Sequence, residues 1–157
     1  MSRILNENTS NELHRTLCDL LVLSEADDCL LCDTGGYVLA REGDGDHDPY
    51  QMAALGAGVY GASRELARLL GEREFNVVLH QGTQKSIFIC AVHADALLVI
   101  VFSQNASAGL VKLYAKPAAV AVRALLEDAR RLAMEAEDLA GHPLVLNRAG
   151  PLFRAGP

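Results

Sequence analysis

Three stretches rich in β-branched and aromatic residues, Phe75–His80, Lys85–Val92 and Ala96–Phe102, follow one another with only a few residues between them. A parallel pair needs a crossover of a dozen residues or more, so connections this short force the three strands into an antiparallel meander. Gly82-Thr83 and His93-Ala94-Asp95 supply the turns. Ala96–Phe102 is apolar throughout, which marks a central strand covered on both faces.

The rest of the chain must wrap this meander. Thr9 and Glu12 have capping-box spacing, and Leu13, Leu17, Leu20 and Leu21 follow on one helical stripe that ends near Ser24–Ala26. Cys29–Cys32 and Tyr37–Arg41 read as two short strands around the tight turn Asp33-Thr34-Gly35-Gly36. Glu42–Asp48 is an acidic surface loop. Asp48-Pro49 then opens a second helix, with Asp as cap, that runs to Leu70 and stops at Gly71.

Met52, Leu55, Val59, Ala62, Leu66 and Leu69 form the seam expected to face the sheet. A last helical region spans Ala108 to Asp138, with Leu110, Leu113, Tyr114, Val120, Leu125 and Leu132 as its apolar face. Pro117 either kinks it or divides it. The predicted order is α-β-β-α-β-β-β-α, an α+β domain with a five-stranded antiparallel sheet flanked by helices. Residues 1–140 make the domain and 141–157 a Pro/Gly-rich tail.

Charge and composition narrow the function. Lys plus Arg number 14 against 20 Asp plus Glu, a formal charge of −6 without a basic tract, which disfavours nucleic acid and anionic membrane. The longest apolar run, Ala96–Phe102, is far short of the ~20 residues that span a bilayer. The N-terminus lacks a secretory h-region, and four scattered cysteines point to a reducing, cytoplasmic setting.

Several strings resemble sites and lack the context that would make them so. Gly56-Ala57-Gly58-Val59-Tyr60-Gly61 matches a dinucleotide fingerprint but falls two turns inside a helix, where its N–H groups are already bonded. Cys29 and Cys32 lie three apart on a strand and face opposite ways, so they cannot pair; the four cysteines read as small core residues. Asp44, Asp46 and Asp48 begin like a calcium loop, but Leu55 stands where the bidentate glutamate belongs. No catalytic residue, cofactor site or metal site is expected.

What remains unusual is the small-residue surface of the second helix. Ala53, Ala57 and Gly61 stack at i, i+4 and i+8, and Ala54, Gly58 and Ala62 form the adjacent row. Each glycine costs about 1 kcal/mol against alanine in a helix, a cost offset where another chain approaches closely.

Taken in order, LLCDTGGYVLA (30–40), LARLLGEREF (66–75), LHQG (79–82), LLVIVF (97–102) and AGLVKLYAK (108–116) resemble the Roadblock/dynein light-chain family, and within it the bacterial MglB-like proteins. Pro117 departs from that pattern. The resemblance implies homodimers or heterodimers whose central helices pack side by side and whose third strands pair, continuing the sheet across the interface. Ala53, Ala57, Gly58, Phe75, Val77 and Leu79 would line that interface. It further implies binding of a Ras-like small GTPase of the MglA type, stimulation of GTP hydrolysis without a donated arginine, and a role in polarity or motility. Ala57, Gly61, Arg64, Glu65 and Arg68 would form the docking platform, with the tail's Leu144–Phe153 as a weaker second site. Two other readings stay open: a scaffold that binds without altering hydrolysis, and a ligand sensor of the GAF or PAS type.

Overall fold

The computed structural model describes residues 5–141. Its elements are α1 (Glu7–Ser24), β1 (Asp28–Asp33), β2 (Val38–Gly43), α2 (Pro49–Leu69), β3 (Val77–Gln81), β4 (Lys85–His93), β5 (Ala96–Ser103) and α3 (Ala108–Gly141). This is the predicted order, and the five strands form one antiparallel sheet in the order β2-β1-β5-β4-β3. The β3-β4-β5 meander is present, and β5 is central, buried from Ala96 to Phe102. The tail's Leu144–Phe153 lies outside the described residues.

Alternation along the strands builds two cores. Leu31, Phe88, Cys90, Leu98, Ile100 and Phe102 face α1 and α3, where Leu13, Leu17 and Leu20 meet Val111, Val122 and Leu126. Leu30, Cys32, Ile89, Leu97 and Val99 face the other way, toward α2. Cys29 therefore belongs to the first core and Cys32 to the second, as their spacing on a strand requires. Cys18, expected in the core, is exposed.

Local chemistry fixes the ends of the elements. Asn6, not Thr9, caps α1: its side chain accepts from the Thr9 N–H at 2.8 Å, while Thr9 is itself buried. Asp48 caps α2 as expected, accepting from the Tyr50 N–H at 2.9 Å, and Gly71 takes φ +76° beyond the helix end. In the β1–β2 turn, Asp33 accepts from the N–H groups of Gly35 and Tyr37, each at 2.9 Å. Gly36 there has φ +87°, and a Cβ on it would lie 2.8 Å from the Cα of Ala54. Only glycine lets this turn lie against α2.

The expected apolar face of α3 is corrected in part. The buried side of α3 is Val111, Ala115, Ala118, Val122, Leu126 and Ala129; of the expected face, Tyr114 and Leu125 pack partly buried at its margin. Leu113, Val120 and Leu132 are exposed. Small residues win because α3 lies against both α1 and the sheet, and close approach favours small side chains. Pro117 does not divide the helix. It sits exposed, and the carbonyl it cannot bond belongs to exposed Leu113, so water can satisfy that group.

Candidate functional site

The sheet side of α2 is formed by Ala53, Gly56, Tyr60, Ser63 and Ala67. A Cβ on Gly56 would stand 3.1 Å from Val99 Cγ2, so the helix backbone rests almost directly on β5. The seam of leucines predicted to fill this space lies elsewhere: Leu55, Leu66 and Leu69 are 64%, 58% and 82% exposed. Met52 and Val59 are half-buried at the margin. The physical reason is distance, because the short side chains let the helix sit close to the strands and leave no room for leucine beneath it.

The predicted small-residue surface is divided by this orientation. Ala54, Gly58, Gly61 and Ala62 are exposed, and nothing lies within 4 Å of a Cβ built on Gly58 or Gly61. Ala57 is half-buried. Ala53 is fully buried in its own core, which corrects its assignment to a surface that meets another chain. The GxGxxG string lies wholly within α2, its backbone committed to the helix.

Arg64, Glu65 and Arg68 are exposed on the same helix. Arg68 and Glu65 form a surface ion pair at 3.4 Å, of the kind that contributes little to stability. Arg64 has no ion-pair partner among the described residues. Tyr60 donates from its hydroxyl to Glu74 at 3.0 Å, tying α2 to the segment before β3; burial and this carboxylate push its pKa up to about 12. At the other end of the sheet, β3 is an edge: among the described residues it pairs only with β4, and no strand lies on the opposite backbone edge of Val77–Gln81. Phe75 and Val77 are half-buried there and Leu79 is exposed.

Sequence reasoning missed two polar clusters. Asp28 is almost wholly buried at the start of β1, where Arg41 donates to it at 2.7 Å and His47 Nε2 stands 3.0 Å away. Arg41 also donates to the Gly45 carbonyl at 2.7 Å, so the acidic loop before α2 is tied down at its backbone while Asp44, Asp46 and Asp48 stay exposed. The alternation of Arg41 with buried Ala40, diagonal to Asp28 across the β1–β2 pair, was the available signal. In the second cluster, Asp95 meets His93 at 2.8 Å and also Arg130 of α3. His80 is exposed at the end of β3.

The Roadblock/LC7 domain profile matches residues 13–102, more than half of the chain. The chain belongs to the Roadblock/LC7 family. Among solved structures, the gliding protein MglB of Thermus thermophilus superposes with a TM-score of 0.76 at 32% identity, covering 79% of this chain and 95% of that one. MglB of Myxococcus xanthus gives 0.74 at 28% identity, with 80% and 95% covered. A structure described as MglB with a tetrameric arrangement gives 0.77 at 32% identity, with 80% and 95% covered. Comparison with curated protein sequences gives no significant match. Among the described residues, no helix of this Roadblock domain is long and apolar enough to cross a membrane.

Proposed function

We propose that this Roadblock protein is a cytoplasmic dimeric regulator of a Ras-like, MglA-type small GTPase, stimulating GTP hydrolysis by realigning the GTPase's own switch residues. The observation that carries the reading is the outward side of α2, where Leu55, Leu66 and Leu69 stand exposed beside the open row Ala54, Gly58, Gly61 and Ala62. An apolar, low-relief helix surface of this kind is suited to a second helix or a docked domain. The likeness to two MglB proteins at 28% and 32% identity supplies the partner class.

In the dimer, Gly58 and Ala57 let two α2 helices approach, and Phe75, Val77 and Leu79 carry the pairing of two β3 edges. Such pairing removes the hazard of an open strand edge. Gly61, Arg64, Glu65 and Arg68, with Ala57, form the platform for the GTPase. A partner that fits the GTP-bound, catalytically aligned conformation better than the others lowers the barrier without adding a chemical group.

The test is GTP turnover by the MglA-like GTPase of the same cell, with and without this chain, alongside a sizing column. Faster turnover with co-elution supports the reading. Unchanged turnover with no complex overturns it.

A further inference from the structure

Besides the outer side of β3, the sheet leaves the end of β4 open. β3 begins at Val77, opposite Cys90, whereas β4 continues to His93. Ala91, Val92 and His93 therefore run on past β3 with no strand on that side among the described residues. The chain bends at Asn76 instead of extending β3 along them. Beside this stretch lies an open cleft of about 340 Å³, lined also by Arg64 of α2, Arg123 of α3 and Glu74.

The two arginines reach the cleft from opposite faces of the sheet. Ala91 packs toward α2 and Val92 toward α3, and Arg64 and Arg123 belong to those two helices. The bond from Arg123 to Glu127, 3.1 Å long, is made through Nε, so the terminal nitrogens keep their donors for another acceptor. Glu74 has one oxygen held by the Tyr60 hydroxyl at 3.0 Å. Two guanidinium groups against one carboxylate make the cleft locally positive in a chain of net charge −6.

An extended segment laid on this edge would be read by its alternation. Successive side chains of a strand point to opposite faces, so of two adjacent acidic residues one meets Arg64 and the next Arg123. We propose that the free end of β4 takes an extended peptide carrying two adjacent acidic residues, its backbone bonded to Ala91–His93 and its carboxylates held by Arg64 and Arg123. Strand addition draws affinity from main-chain bonds and specificity from alternate side chains, and guanidinium groups favour carboxylates through paired donors. The added segment lies in line with β3, whose outer edge stays free. Arg64 is shared with the proposed GTPase platform, but Arg123 lies outside it, so a loss on changing Arg123 bears on this proposal alone.

Fluorescence anisotropy tests it, with the full chain titrated into a labelled six-residue peptide of threonine and valine around two central glutamates, at about 0.05 M salt. Saturable binding is expected. Arg64→Gln and Arg123→Gln, both on exposed side chains, should each weaken it about fivefold or more while circular dichroism stays unchanged. Exchanging both glutamates for glutamines should weaken it about tenfold or more. Separating the glutamates by one threonine should weaken it similarly, because both then face one side, and N-methylation of the peptide backbone should abolish it. Absence of saturable binding up to roughly 5 mM peptide overturns the proposal. So does binding that survives either arginine change, or equal binding of the adjacent and the separated glutamates.

Discussion

The glycines of α2 offer a sharp test of which side of the helix faces the sheet. Replacing a helix-interior glycine by alanine gains up to about 1 kcal/mol from reduced backbone entropy in the unfolded chain. At Gly61 a new Cβ meets nothing within 4 Å, so the whole gain should appear. At Gly56 the same methyl stands 3.1 Å from Val99 Cγ2. Val99 is held on the central strand in the core beneath α2, and overpacking of such a site costs about 1–3 kcal/mol. The net for Gly56→Ala is therefore between no change and a loss of about 2 kcal/mol. Urea unfolding resolves this difference. With a slope of about 2 kcal/mol per molar, Gly61→Ala should raise the midpoint by about 0.5 M and Gly56→Ala should leave it unchanged or lower it. Both variants are measured over a concentration series, because a dimer's midpoint moves with concentration and only the concentration-independent part reports the protomer. Equal stabilisation by the two alanines would show that β5 does not lie against Gly56, and the assigned orientation of α2 would fall with it.

Other outcomes follow from the same geometry. Gly61→Arg should leave helical circular dichroism intact while abolishing dimer formation or GTPase docking, and a folded variant that still forms the complex would remove Gly61 from that surface. Asp28→Asn leaves Arg41 facing a neutral group in a nearly buried site and should cost about 2–4 kcal/mol in urea unfolding; an unchanged midpoint would refute a structural role for the Arg41–Asp28–His47 tie. For Asp95, burial works to raise the carboxyl pKa, but hydrogen bonds from His93 and Arg130 outweigh it and hold the group below its ordinary value of 3.8. A depressed folded pKa means that its stabilisation is present above the unfolded value and is lost as pH falls through the folded one. Asp95→Asn should therefore flatten the fall in stability at the acid end below pH 3.8, which urea unfolding across that range checks. Finally, burial pushes the thiols of Cys29, Cys32 and Cys90 up to about 12, so in the native protein a neutral-pH thiol reagent should label exposed Cys18 rapidly and the other three only after unfolding.

The topology was legible because short connections and period-two alternation leave few choices for Phe75–Phe102. Asp48-Pro49 and Gly71 carry the boundaries of α2 in their own chemistry. Helix orientation was not legible from hydrophobicity alone. In α2 and α3 several of the most apolar residues, Leu55, Leu69, Leu113 and Val120, are exposed, while Ala53, Gly56, Ala115 and Ala118 are buried. Periodicity reports which residues share a face; packing distance decides which face is inward. The Arg41–Asp28–His47 cluster was hidden for a different reason: strand pairing at Leu30↔Arg41 sets Arg41 diagonal to Asp28, and His47 reaches Asp28 only through the fold of the loop after β2.

The exposed leucines also bear on how a partner is held. Fully burying a leucine yields about 1.5–3 kcal/mol, so the exposed parts of Leu55, Leu66 and Leu69 (64%, 58% and 82%) could together contribute about 3–6 kcal/mol on association. Losing the freedom of two independent molecules costs an estimated 4–15 kcal/mol. The α2 surface alone is thus marginal, sufficient for a transient partner and insufficient for a permanent one. The open β3 edge supplies a second, independent set of backbone hydrogen bonds with Val77 and Leu79 beside them. A lasting dimer therefore needs both the helix and the strand, whereas a GTPase that must leave after hydrolysis can use the helix surface by itself. Blocking the β3 edge by His80→Pro should accordingly abolish the dimer while leaving weak GTPase binding to the monomer, and a dimer that survives it would place the interface on α2 alone.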